Sequence, residues 1–172
     1  MTSRRTLLTG AVAAAAIAAG GGAAWRQRRA GTGVDLAPLW ALRLARPEGG
    51  ELVLAELRGK PLLINFWATW CAPCIREMPE LDRFQRDFAP RGVKVVGLAI
   101  DEMAAVREFL ARIKVGFPVG LAGIDGTQLA RLLGNTEGGL PFSVLIGADG
   151  ALLQTKLGAT DYAELASWAR SI

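Results

Sequence analysis

Histidine does not occur among the 172 residues, cysteine occurs twice and tyrosine once. Without an imidazole, Ser-His-Asp and Cys-His catalysis are excluded, since both need that base. A zinc site takes about four Cys, His or carboxylate ligands, more than one cysteine pair supplies. Stretches of low hydrophobicity and high charge are also missing, so no disordered region is indicated. Nor are there runs of like charge, although the net charge is +4 and the pI about 9.6. The explanation is local. Arg4, Arg5, Arg26, Arg28 and Arg29 precede Gly31 in a segment without an acid, and from there on 15 bases face 16 acids, a net of −1. The electrostatic footprint of nucleic-acid binding is therefore absent. What remains is dithiol chemistry or a structural bridge between Cys71 and Cys74. A length of this order suits one domain and a leader.

The leader, residues 1–30, opens with Ser3-Arg4-Arg5-Thr6-Leu7-Leu8, which resembles the twin-arginine export motif, with Leu7 where phenylalanine is commoner. From Leu7 to Trp25 there is no charge, so the stretch just reaches the length of a bilayer span. It is built mainly of alanine and glycine, which insert weakly. Small residues at Ala16-Ile17-Ala18 and Gly22-Ala23-Ala24 suit cleavage. Arginines flank the segment on both sides, and the positive-inside rule gives a tie. A cleaved signal and an uncleaved signal anchor both remain open, and both export the domain.

Residues 31–38 read as a linker, and the domain as 39–172. Leu39 to Ala45 and Glu51 to Ala55 flank Pro47-Glu48-Gly49-Gly50, a turn composition, and predict a hairpin. Leu62 to Trp67 is a continuous apolar run, as expected of a central strand covered on both faces. After Cys71 the period becomes helical, with Cys74, Met78, Leu81, Phe84 and Phe88 on one face, a kink expected at Pro79 and an end at Gly92. Val93 to Ile100 reads as a second buried strand. Ala104 to Lys114 reads as a helix burying Val106, Phe109, Leu110 and Ile113. Phe117 to Leu121 suits a short strand. Asp125 is the expected N-cap of a helix burying Leu129, Leu132 and Leu133 and stopped by Gly134. Phe142 to Ile146 and Ala151 to Leu157 flank an Asp149-Gly150 turn. A last helix starts near Thr160, with Asp161 and Glu164 at capping-box spacing and Tyr162, Leu165, Trp168 and Ile172 inward. This order predicts an α/β fold with a mixed central sheet and helices on both faces.

Phe66 to Cys74, FWATWCAPC, places Cys-x-x-Cys between a buried strand and a helix start. Unpaired N–H groups and the helix dipole there stabilise an anion, so Cys71 should ionise more readily than a free thiol and act as nucleophile. Cys74, nearly one turn on and facing the core, would resolve the mixed disulfide. Pro73 stiffens the turn and withholds an N–H. Two alternatives stand beside this reading. A structural disulfide closing so short a loop would stabilise little, and two such pairs across a dimer could bind a metal.

Asn65 to Pro79, NFWATWCAPCIREMP, resembles the signature of the TlpA/ResA-like branch of exported thioredoxins. Gly139-Leu140-Pro141 entering a strand, followed by Asp149-Gly150, matches that family's second landmark, and the likeness runs from about Leu39 to the C-terminus. The resemblance implies a thioredoxin-like fold with an N-terminal hairpin and a central insertion, here between Asp101 and Pro141. It also implies a cis Pro141. A cis proline offers no N–H to the dithiol and leaves the Leu140 backbone free to pair with an extended substrate. Where cytoplasmic thioredoxins carry a buried aspartate, this chain has Asn65, which cannot exchange a proton. Glu77 matches a glutamate that the family places near the dithiol, and is assigned proton handling; a solvated helix glutamate is the alternative. Trp70, Ala72, Pro73, Leu140 and Pro141 are the expected substrate contacts, and Trp67 is expected in the core.

By the same resemblance, the activity is reduction of disulfides in exported proteins, such as the cysteine pair of apocytochrome c or copper-site thiols. A membrane thiol transporter would supply electrons, and no cofactor is implied. Ala72-Pro73 between the cysteines and the lack of histidine favour a reductant over a DsbA-type oxidase. Phe142 stands where the family usually has a small hydroxyl residue, a departure that bears on substrate choice. A peroxiredoxin-type peroxidase is disfavoured, because Thr69 is two residues before Cys71 rather than three. A non-catalytic Cu(I) chaperone is the remaining competitor.

Overall fold

The computed structural model describes residues 34–170 and residue 172. The expected leader lies outside the described residues. The described chain begins with a short helix, α1 (Ala37–Trp40), and a hairpin of β1 (Arg43–Ala45) and β2 (Glu51–Val53), followed by a 3-10 turn over Leu54–Leu57. Next come β3 (Leu62–Trp67), α2 (Ala72–Phe88), β4 (Lys94–Ala99) and α3 (Met103–Arg112). The remaining elements are β5 (Val119–Leu121), α4 (Asp125–Leu132), β6 (Phe142–Ile146), β7 (Leu152–Leu157) and α5 (Tyr162–Ala169).

Five strands form one mixed sheet in the order β5-β4-β3-β6-β7. β3 runs parallel to β4, with Asn65 opposite Gly97, and antiparallel to β6, with Phe66 opposite Phe142. All six residues of β3 are buried, which is why its sequence, apolar except for Asn65, shows no alternation. Its side chains still point alternately to the two faces. Leu63 and Trp67 join Met78, Leu81, Phe84, Val106, Phe109 and Leu165 in the core under α2, α3 and α5. Leu62, Ile64 and Phe66 join Leu39, Leu54, Leu98, Leu129 and Val144 in the core under α1, the 3-10 turn and α4. The mixed sheet flanked by helices agrees with the sequence reading.

Several expectations are corrected. Part of the expected linker belongs to the fold: Leu36 is buried and Ala37 opens α1, with Pro38 in the first turn, where its missing N–H costs nothing. The first hairpin strand is therefore shorter than expected, and Leu39 is a buried helical residue. α2 continues through Pro79, and a 3-10 turn separates its end at Phe88 from Gly92. Asp125 is the first residue of α4 and caps nothing; Ile124 occupies the N-cap without a side-chain bond. Leu132 and Ile172 are exposed, and Ala130 takes the inward position beside Leu129. Asp161 does cap α5, accepting from the Glu164 N–H at 2.8 Å.

One close approach governs the middle of the sheet. Trp67 is fully buried, its ring 5.3 Å from that of Phe109. A Cβ at position 97 would lie 3.0 Å from Trp67 Nε1 and 3.1 Å from the Phe117 ring. Glycine at 97 is thus the space into which the indole packs. Gly97→Ala is expected to destabilise the fold by about 1–3 kcal/mol through overpacking, measured as a lowered denaturation midpoint at unchanged slope.

Candidate active site

The chain leaves β3 at Trp67 and enters α2 at Ala72, and Cys71 is the N-cap between them. Cys71 and Cys74 are joined by a disulfide, with S–S 2.03 Å and Cα–Cα 5.3 Å. Cys71 Sγ also accepts from the Cys74 N–H at 3.3 Å. The Cys71 sulfur thus sits at the N–H groups and the positive dipole end of this helix, a setting that favours a thiolate once the disulfide is reduced. Cys71 is 5 % exposed and Cys74 fully buried, so an external disulfide can approach the first sulfur and not the second.

Around this pair the expected contact residues separate by exposure. Trp70 is 69 % exposed, a large apolar surface beside Cys71. Ala72 is exposed, Pro73 and Leu140 are half-buried and Pro141 is buried. The Leu140–Pro141 bond is cis. Because Phe142 pairs with Phe66, Leu140 and Pro141 lie at the sheet end where β3 runs out toward Cys71.

Glu77, three residues beyond Cys74, is 2 % exposed on the inner face of α2. Its Oε1 accepts from Asn65 Nδ2 at 2.7 Å, and its Oε2 accepts from the Thr160 N–H at 2.7 Å and the Thr160 hydroxyl at 3.1 Å. Asn65 Nδ2 also donates to Ser143 Oγ at 3.1 Å, while Asn65 Oδ1 is buried with no partner among the described residues. Burial pushes the Glu77 carboxyl above its ordinary 4.5, and the bonds from Thr160 and Asn65, with the field of Lys156, pull it only partly back. The alternative of a solvated helix glutamate is therefore set aside. Ser143 and Thr160 were not anticipated as members of this cluster. Ser143 is the only hydroxyl in the buried strand FSVLI, a signal that could have marked it. Among the described residues, no group of three or more Cys, Asp or Glu side chains is arranged to hold a metal.

A vicinal dithiol at a helix N-terminus, on a mixed sheet of this order, defines a thioredoxin-fold thiol-disulfide oxidoreductase. The chain belongs to the redoxin family, whose model matches residues 33–168. It is 33% identical over 126 residues to the thiol-disulfide oxidoreductase ResA of a Bacillus cereus strain, covering 73% of this chain and 70% of that one. To ResA of Bacillus anthracis it is 34% identical over 127 residues, with the same coverage. A thiol:disulfide interchange protein of the thioredoxin family from Chlorobium tepidum TLS superposes with a TM-score of 0.66 at 28% identity, covering 76% of this chain and 91% of that one.

The raised Glu77 carboxyl has a measurable sign. Below its ordinary value it is neutral whether the chain is folded or not. As pH rises through 4.5 the unfolded chain ionises first, and the folded state loses stability until the buried carboxyl ionises too. Glu77→Gln removes this loss. The melting temperature of the variant minus that of the native protein should therefore increase between about pH 4 and pH 8.

Proposed function

We propose that the protein is an exported reductase of protein disulfides. The observation that carries this reading is the unequal access to the two sulfurs at the start of α2, with Ala72-Pro73 between them. The Cys71 thiolate attacks one sulfur of a substrate disulfide, and the other sulfur leaves as a thiolate that takes up a proton. Cys74, having lost its proton, then attacks Cys71 Sγ, which releases the second substrate sulfur as a thiolate that takes up a proton, and leaves the Cys71–Cys74 disulfide. Two electrons pass to the substrate in each cycle. Glu77, behind Cys74 and held nearer to neutral than an ordinary glutamate, receives the Cys74 proton. Trp70, Ala72, Pro73, Leu140 and Pro141 contact the substrate chain around its cysteine.

Direction is a matter of potential. No histidine and no charged residue lies between the cysteines to stabilise the thiolate further, which supports a reductant. Its substrates are disulfides of exported proteins, such as the cysteine pair of an apocytochrome c or copper-site thiols, and a membrane thiol transporter re-reduces Cys71–Cys74. Export is attributed to residues 1–30 and leaves the domain outside the cytoplasm, free or tethered by that segment.

Three measurements test this reading. The standard potential is expected nearer to about −270 mV than to about −120 mV, the thioredoxin-like and DsbA-like values, and a value near the latter would make the protein an oxidant. Cys74→Ser expressed in the native host should accumulate exported proteins disulfide-linked to Cys71; an empty trap counts against a reductase. For export, replacing Arg4 and Arg5 together by lysine should leave the protein in the cytoplasm, as shown by fractionation.

A further inference from the structure

The four residues from Ala68 to Cys71 carry the chain from β3 to α2, and their two ends are fixed by backbone bonds. The Ile100 N–H donates to the Trp67 carbonyl at 2.8 Å, and the Cys71 N–H donates to the Ala68 carbonyl at 3.2 Å. The middle of the segment is held differently, by a side chain from the β4–α3 junction. Asp101 Oδ2 accepts from the Thr69 N–H at 2.7 Å and from the Thr69 hydroxyl at 2.6 Å. Its Oδ1 accepts from the N–H of Glu102, the N-cap of α3, at 2.7 Å. One carboxylate thus ties the loop that precedes the dithiol to the start of the neighbouring helix. Burial alone would raise the Asp101 carboxyl, but the Thr69 and Glu102 donors outweigh it and hold it below its ordinary 3.8. The tie is therefore a set of charge-assisted bonds, stronger than neutral ones.

We propose that Asp101 is a positioning residue for disulfide exchange: through Thr69 it fixes the loop so that Trp70 stays turned outward and Cys71 stays at the N-cap of α2. Two consequences connect that geometry to the reaction. Exchange requires the attacking sulfur to line up with the disulfide it enters, and small displacements of a reacting group lower rates steeply. The Cys71 sulfur is also favoured as an anion only while it faces the first N–H groups of α2, where the Cys74 N–H reaches it at 3.3 Å. A loosened loop gives up both. Trp70 adjoins Thr69 in the chain, and its 69 % exposure leaves its indole few contacts of its own, so its orientation depends on the backbone that Asp101 holds.

The test uses the full chain reduced with dithiothreitol, freed of reductant and mixed with insulin. The second-order rate of disulfide exchange is followed, and the pH of Cys71 ionisation is read from thiolate absorbance. Asp101→Ala is expected to slow exchange about tenfold and to shift Cys71 ionisation to higher pH. Asp101→Asn keeps an amide oxygen for both Thr69 donors but loses the charge and turns its amide NH2 toward the Glu102 N–H, so it should restore only part of the rate and of the native ionisation. Thr69→Val, which loses only the hydroxyl bond, should fall between Asp101→Ala and the native protein, and Thr69→Ser should match the native protein. A native rate in Asp101→Ala overturns the proposal, as does Cys71 ionising at lower pH in that variant, the shift that loss of a nearby negative charge alone would give. A native rate in Thr69→Val overturns it equally, and that comparison remains available if Asp101→Ala does not fold.

Discussion

Strand β3 is hydrogen-bonded on both sides and buried on both faces, and the other elements take their places from it. It lies between β4, running parallel, and β6, running antiparallel. Its odd-numbered side chains face α2 and its even-numbered ones face α1 and α4. A strand so enclosed can hand the chain on only at its end. There, after four connecting residues, α2 begins, and the cysteine that caps it is drawn to the edge of the core with one sulfur reachable and the other sealed. The reactivity of the pair thus follows from where a central strand stops.

The same face of β3 explains the polar group beneath the dithiol. Asn65 alternates with Leu63 and Trp67, so it meets α2 inside the apolar layer, and Glu77 is the helix residue it meets. Neither could be buried alone without a large loss of hydration. The compensation comes from several elements: an amide on β3, a hydroxyl on β6, and the N–H and hydroxyl of Thr160 just before α5. The carboxyl is well bonded and still costly to ionise, a combination suited to a proton acceptor that works away from water.

Much of this could be read from sequence where the cause is local. The Leu62–Trp67 run, apolar but for Asn65, the helical spacing from Cys74 to Phe88 and the Asp161/Glu164 pair each report an environment repeated over neighbouring residues. α1 escaped because Ala37-Pro38-Leu39-Trp40 is only one turn and shows no period. Asp125 has the composition of a cap, but the helix takes it in as its first residue. The polar cluster was half visible. Glu77 lies on a recognisable helix face, whereas its bonds to Thr160 span 83 residues, and the link between Asn65 and Ser143 spans 78. No window along the chain contains both ends. The tie between Thr69 and Asp101 was hidden in the same way, across 32 residues.

The two margins of the sheet differ in a way that bears on how copies of this molecule behave in a crowded solution. β5 is only three residues long, and Leu44 and Leu52 of the N-terminal hairpin close over Gly120. β7 is longer and open and exposes Leu153 and Leu157 beside Gln154 and Thr155, but it carries Lys156 paired with Glu164 and meets β6 with a register shift at Leu145/Ile146. Short length and cover guard one margin; polarity, charge and irregular pairing guard the other. Among the described residues, two molecules that collide therefore meet no long, flat, uncharged strand edge, and lateral growth of this sheet is disfavoured.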